Sequence, residues 1–135
     1  MSHYTVLQTR LHDTRLLLES LADLGFIDVE LHETPQPLVG WRGDFRQQRA
    51  EVIIRRRHVG QASNDIGFAR RPDGSFEAII SDYDRERYDE AWLGQLNQRY
   101  AYRLTRETLA GQDFDLVQEE IDEQGTIRCT VRRMA

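Results

Sequence analysis

Two spacings of apolar residues alternate along this chain, one suited to strands and one to helices. From Tyr4 to Thr9, the side chains of Tyr4, Val6 and Gln8 fall on one face and Thr5, Leu7 and Thr9 on the other, which predicts a first strand. Leu17, Leu21 and Leu24, with Leu18 beside them, then repeat at helical spacing. Asp13 is a good N-cap for that helix and Gly25 a natural stop. Phe26–His32 alternates again, with Ile27, Val29 and Leu31 expected inward and Asp28, Glu30 and His32 outward. Strand, helix and strand with short connections read as the opening of a βαβ unit.

Pro35 and Pro37 interrupt this pattern, so Glu33 to Gln48 reads as a long irregular segment, of the kind that is often functional. A strand over Ala50–Arg55 follows, burying Ala50, Val52 and Ile54. Two more strands, Asp65–Ala69 and Phe76–Ser81, flank the turn signal Pro72-Asp73-Gly74. After an acidic connector, Asp82 to Glu90, the chain enters a long helix from Ala91. Leu93, Leu96, Tyr100 and Leu104 form its apolar stripe, and Gly111 stands where a left-handed C′ residue would end it. Phe114–Ile121 and Thr126–Arg132, joined by Asp122-Glu123-Gln124-Gly125, read as a closing hairpin. The expected fold is α+β: a single domain over residues 1–135, with a mainly antiparallel sheet of about seven strands and two principal helices. Its predicted order is β-α-β-β-β-β-α-β-β.

Composition narrows the chemistry. Charged residues make up 30% of the 135 positions against 39% hydrophobic ones, and the longest apolar runs are only a few residues. No stretch is suited to span a bilayer, and the start of the chain does not resemble a secretory signal. A single cysteine, Cys129, excludes an internal disulfide framework and fits a reducing, cytoplasmic setting. It alternates with Ile127 and Val131, on the expected inward face of the last strand. The net charge of −5 argues against a general nucleic-acid binder. All 18 basic residues are arginine, so Schiff-base and P-loop lysine chemistry are excluded. His3, His12, His32 and His58 have no metal-ligand spacing. No Walker, G-x-G-x-x-G or G-x-S-x-G motif occurs. No metal, cofactor or catalytic residue is therefore expected.

Two stretches have the composition of recognition surfaces. On the long helix, Gln98, Tyr102 and Arg106 lie one turn apart, away from the apolar stripe, with Arg99 and Arg103 beside them. In the irregular segment, Trp41, Arg42 and Arg46 lead into an arginine cluster that continues through Arg49 and Arg55–Arg57. That cluster is open to two readings, a solvated strand end or a dock for phosphate, acidic peptide or RNA backbone. The helix stripe is likewise open to packing or to binding. The acidic positions from Asp113 to Glu123 lack the spacing of a calcium loop.

Ser2-His3-Tyr4, Asp65-Ile66-Gly67-Phe68, Gln98-Arg99-Tyr100-Ala101-Tyr102 and Gly125-Thr126-Ile127-Arg128 together resemble the hypothetical chloroplast reading frame thirty-five family. Gly40-Trp41-Arg42-Gly43 is similar to a further motif of that family, in which tyrosine is commoner than this tryptophan. The resemblance runs in order along the whole chain, and the Pro35–Pro37 segment departs from it. The family is a domain of unknown function and has no established activity. Similar proteins are often encoded near an AAA-type ATPase, which implies an adaptor or accessory role and a protein partner. The expectation is a non-enzymatic interaction module. A nucleic-acid-binding module using the arginine cluster is the alternative. An enzyme without a recognisable motif, centred on His3, Tyr100 and Arg99 or Arg103, is the third.

Overall fold

A computed structural model describes residues 3–111, 114–121 and 126–133. The chain runs β1 (Tyr4–Gln8), α1 (Thr14–Asp23), β2 (Glu30–Val39), β3 (Phe45–Ile54), α2 (Arg56–Val59), β4 (Ile66–Arg70) and β5 (Phe76–Ser81). A 3₁₀ turn, Asp84–Glu86, then leads to α3 (Glu90–Gly111), β6 (Phe114–Ile121) and β7 (Ile127–Arg133). This is the predicted α+β order with the single-turn α2 added. The first five strands form one antiparallel sheet in the order β1-β5-β4-β3-β2, and β6 pairs with β7 in a separate hairpin. The expected βαβ opening is corrected in one respect. β1 and β2 run parallel in the same sheet, but as its two edges, with three strands between them.

The helices pack on one face of the sheet. Asp13 caps α1, its side chain accepting from the Leu16 N–H at 2.9 Å, and Leu16, Leu17 and Leu21 are buried beneath the helix. The end of α1 is a Schellman motif. Gly25, at φ 101°, donates to Ala22 O, and Phe26 donates to Leu21 O, satisfying two carbonyls of the last turn. α3 buries Leu96 and Tyr100. The Tyr100 hydroxyl accepts from the N–H groups of His12 and Asp13, which joins α3 to the entrance of α1. Val52, Ile54, Ile66, Phe68, Phe76, Ala78 and Ile80 complete this core from the sheet side. Phe26, Tyr88 and Trp92 extend it as an aromatic cluster with centroids 5.1–6.0 Å apart.

The other face is covered from within the chain. Instead of an irregular segment at Glu33–Gln48, the structure has a long hairpin formed by β2 and β3. Pro35 and Pro37 are tolerated because β2 is an edge strand, and register shifts occur between Leu31 and Gln36 and between Pro37 and Val39. The hairpin bends over the sheet and buries Leu38 against Ala50, Ile53 and Ile79. Gly67 makes this approach feasible: a Cβ there would lie 2.7 Å from Ala50 Cβ and 2.9 Å from Leu38 Cδ2.

Three further expectations are revised. Ile27 is 87% exposed and Leu31 is also exposed, whereas Phe26 and Val29 pack against the core, because β2 begins only at Glu30. Glu30 turns instead toward Arg55, which offers it two hydrogen bonds. Leu104, predicted in the apolar stripe, is exposed. Gly111 is the last helical residue and does not adopt the left-handed conformation. The expected turn at 122–125 lies outside the described residues, as do Ser2, Asp113 and the side chains of 114–121 and 128–133, Cys129 among them.

Candidate functional site

The tip of the β2–β3 hairpin, residues 40–44, is held in place by backbone contacts. Gly40 donates to Asp44 O and Gly43 to Gly40 O, both at 2.8 Å. Asn64 Oδ1 accepts from the Trp41 N–H at 2.9 Å, and Arg56 Nη1 donates to Trp41 O at 3.1 Å. The chain on either side of Trp41 is therefore clamped while its ring is left outside. Trp41 is 44% exposed and Phe45 79%. The Arg42 guanidinium lies over the Trp41 ring at 4.7 Å. Arg46 pairs with Asp44 at 3.1 Å and reaches across to the Tyr4 ring on β1, 5.6 Å from its centroid.

The anchor beneath this tip is Asp65, fully buried at the start of β4. Its Oδ2 accepts from the Val39 N–H at 2.7 Å and from Arg55 Nη1 at 2.8 Å, and its Oδ1 accepts from the Arg56 N–H at 2.7 Å. One carboxylate thus joins the end of β2, the end of β3 and the start of α2. Arg55 also makes a bidentate pair with Glu30, and that hydrogen bonding lowers the Glu30 carboxyl to about 2. Next to Asp65, Asn64 and Ser81 donate to the buried Asp84 carboxylate. Tyr4 Oη is buried beside these carboxylates, and among the described residues it is the one buried side-chain polar atom without a hydrogen-bond partner. Burial, reinforced by the Asp65 charge, pushes the Tyr4 hydroxyl pKa upward.

Between the hairpin and α2 lies a cleft of about 740 Å³, lined by Phe45, Arg55, Arg56, Arg57 and the Gly60–Ala62 turn among others. Ala62 holds φ at 60°, an uncommon conformation for a residue with a Cβ. Much of the arginine cluster is neutralised locally. Arg55 is engaged by Glu30 and Asp65, Arg46 by Asp44, and Arg57 lies 3.7 Å from Asp28.

The helix stripe is a separate place with a different fate. Arg103 donates to both oxygens of Asp23 at 2.7 Å, and Arg99 donates to one of them at 3.1 Å. These bonds, the Arg103 one foremost, lower the Asp23 carboxyl pKa and clasp the end of α1 to α3. Arg99 also lies over the Tyr102 ring at 4.8 Å, and Arg106 Nη1 donates to the Tyr102 hydroxyl at 3.4 Å. Gln98 and Tyr102 are half-buried and Arg106 is exposed, so the stripe is less open than its position suggested. The groups of the enzyme reading are scattered. Tyr100 lines one cleft, Arg99 and Arg103 another, and His3 contributes its carbonyl to a bond from the Asp82 N–H.

Sequence reasoning missed Asn64 and Asp65 as parts of this site, whereas Phe45 stands out beside Trp41 as an exposed aromatic of the arginine-rich stretch. The Asn64-Asp65 pair before a strand was the available signal, since short polar side chains there are suited to holding neighbouring backbone. Among the described residues no helix is long and apolar enough to cross a membrane.

Comparison with known proteins adds a family. Residues 20–130 match the family model described as protein of unknown function (DUF1257). The chain is 27% identical to the uncharacterized protein ycf35 of Cyanophora paradoxa over 134 residues, with 98% of each chain covered. It is equally similar, at 27% and with 98% of each chain covered, to the ycf35 proteins of Pyropia yezoensis and Guillardia theta. No solved structure matches it.

Proposed function

We propose, from the premise that the chain belongs to the DUF1257 family, that it is a non-enzymatic adaptor, an accessory component of a larger cytoplasmic assembly. The observation that carries this reading is the mounting of Trp41 and Phe45. Two large aromatic side chains, Phe45 exposed over most of its surface and Trp41 over nearly half, stand on a hairpin whose tip is locked by Asn64, Asp65 and Arg56. Rigid aromatic anchors lose little conformational freedom on binding, and arginine and tryptophan are the residues on which interfaces most depend. The cleft beside Phe45 gives a partner side chain somewhere to enter, and Arg56 in its wall favours an acidic segment. An AAA-type ATPase, implied by the family resemblance, is the first protein to test. The nucleic-acid alternative draws less support, because Arg46, Arg55 and Arg57 already face carboxylates.

The test is affinity capture from the native lysate at low and high salt, with a nuclease-treated control. The wild type, Trp41→Ala/Phe45→Ser and Tyr102→Ala/Arg106→Ala are compared. A salt-resistant protein partner that is lost only with the hairpin variant is expected. Recovery of the same proteins by wild type and hairpin variant would remove this surface, and loss with the helix variant alone would move the site to α3. Nuclease-sensitive, salt-labile material alone would favour the arginine reading.

A further inference from the structure

The two edges of the five-stranded sheet are treated differently. The β2 edge carries Pro35 and Pro37, two register shifts and the charged Glu33, all of which discourage another strand from adding to it. The β1 edge has none of these. Tyr4–Gln8 contains no proline and no charge, and its register with β5 is unbroken, from Tyr4 opposite Ser81 to Gln8 opposite Glu77. At its two ends, Asp82 N–H donates to His3 O and Thr9 N–H donates to Phe76 O. These bonds fix the phase of the ladder. Odd-numbered residues spend their backbone groups on β5, and Tyr4, Val6 and Gln8 point theirs out of the sheet.

We infer that β1 is a homodimerisation strand, pairing antiparallel with β1 of a second copy about a two-fold axis at Val6. A second copy fits this edge because the strand is self-complementary. In that register Val6 faces Val6 of the other copy and Tyr4 faces Gln8, so every outward-phase residue meets an outward-phase residue. Val6, 50% exposed on an otherwise regular strand, gains an apolar neighbour across the axis. No charged residue of β1 is opposed by another. On the helical face, a cleft of about 740 Å³ opens at the end of the same strand, between Gln8–Leu11 and the Asn97–Leu104 turns of α3. The exposed Leu104 gives that opening an apolar flank. The axis is perpendicular to the sheet, so the product is a continuous ten-stranded sheet with both helical layers on one side. Both β2–β3 hairpins then lie on the other side. This inference does not depend on what the hairpin binds.

Two measurements on the full chain test it. Native mass by light scattering across a hundredfold concentration range, which should bracket the transition, is expected to pass from monomer to dimer. Over the same range, hydrogen exchange at the amides of Tyr4, Val6 and Gln8 should slow with concentration, while those of Thr5, Leu7 and Thr9 stay protected throughout. Val6→Pro removes an outward N–H and no hydrogen bond to β5, and Val6→Arg places like charges opposite one another. Each should weaken the dimer at least tenfold while the folded monomer persists. A monomeric mass at every concentration would overturn the proposal. So would a dimer whose mass survives both variants, since it would be built on another surface.

Discussion

The hairpin tip and the exposed side of α3 use the same vocabulary, arginine beside a large aromatic, and do opposite things with it. On α3, Arg99 and Arg103 converge on Asp23, and Tyr102 lies half-covered beneath Arg99. Their charge and surface are used in joining two helices. On the hairpin, the backbone is fixed by Asn64 and Asp65, so Trp41 and Phe45 are not needed to hold it and remain displayed. An arginine-aromatic stretch is free to serve recognition only where other groups carry the structural load. Composition does not distinguish the two cases, whereas the location of the nearest carboxylate does.

The strongest way to break this contrast is to remove the hairpin's anchor. Asp65→Ala deletes a buried carboxylate that accepts from Val39, Arg55 and Arg56, leaving two N–H groups and a guanidinium without it. A loss of about 3–5 kcal/mol in unfolding free energy is expected, read from the urea midpoint. A loss below about 1 kcal/mol would mean that the tip is held by something other than Asp65. The rigid mounting of Trp41 and Phe45 would then lose its basis.

Asp23→Ala probes the other region and should cost less, about 1 kcal/mol, because the clasp is partly open to water. Acid gives a parallel test of both regions. Asp23 and Glu30 are held below their ordinary carboxyl values by Arg103 and Arg55 respectively, Glu30 falling from 4.5 to about 2. A carboxyl lowered in the folded state stabilises the fold above its unfolded value, and the contribution is lost as protons bind on the way down. The Glu30 contribution should therefore be intact above about pH 4.5 and disappear as pH falls toward 2. In a stability-pH series, Glu30→Gln should flatten the slope in that window. An unchanged slope would show that the Arg55 pair adds nothing there.

The legible parts of the fold were those determined by near neighbours. Asp13 as a cap, Gly25 as a C′ residue and the β4–β5 turn each depend on a few adjacent positions, and each is found as expected. Pro35 and Pro37 misled because proline argues against a strand only where its N–H is needed. Whether it is needed depends on β2 being an edge, a property of the whole sheet. The candidate site was half legible for the same reason. Trp41, Arg42 and Arg46 stood out by composition. Asp65 reaches Val39 across 26 positions, and Asp23 reaches Arg103 across 80. Pairings at such separations decide which arginines are committed, and nothing in local spacing announces them.

The smallest expected effect is the most discriminating. Phe45→Ser removes a ring that is 79% exposed, on a strand whose partners along the backbone are unchanged. If the hairpin is a display, unfolding free energy should move by less than about 0.5 kcal/mol, within the range of ordinary surface changes. Serine has lower strand propensity than phenylalanine, which sets a floor of a few tenths of a kcal/mol rather than zero. A drop comparable to that of Asp23→Ala would show that the ring stabilises the fold through the cleft beside α2. The hairpin would then resemble α3 in using its aromatics for itself, and the reason to look for a partner there would be gone. A neutral result leaves Phe45 exposed on the same hairpin as Trp41 with no structural return, and exposed apolar surface grouped in this way, unlike a lone ring, marks an interaction site.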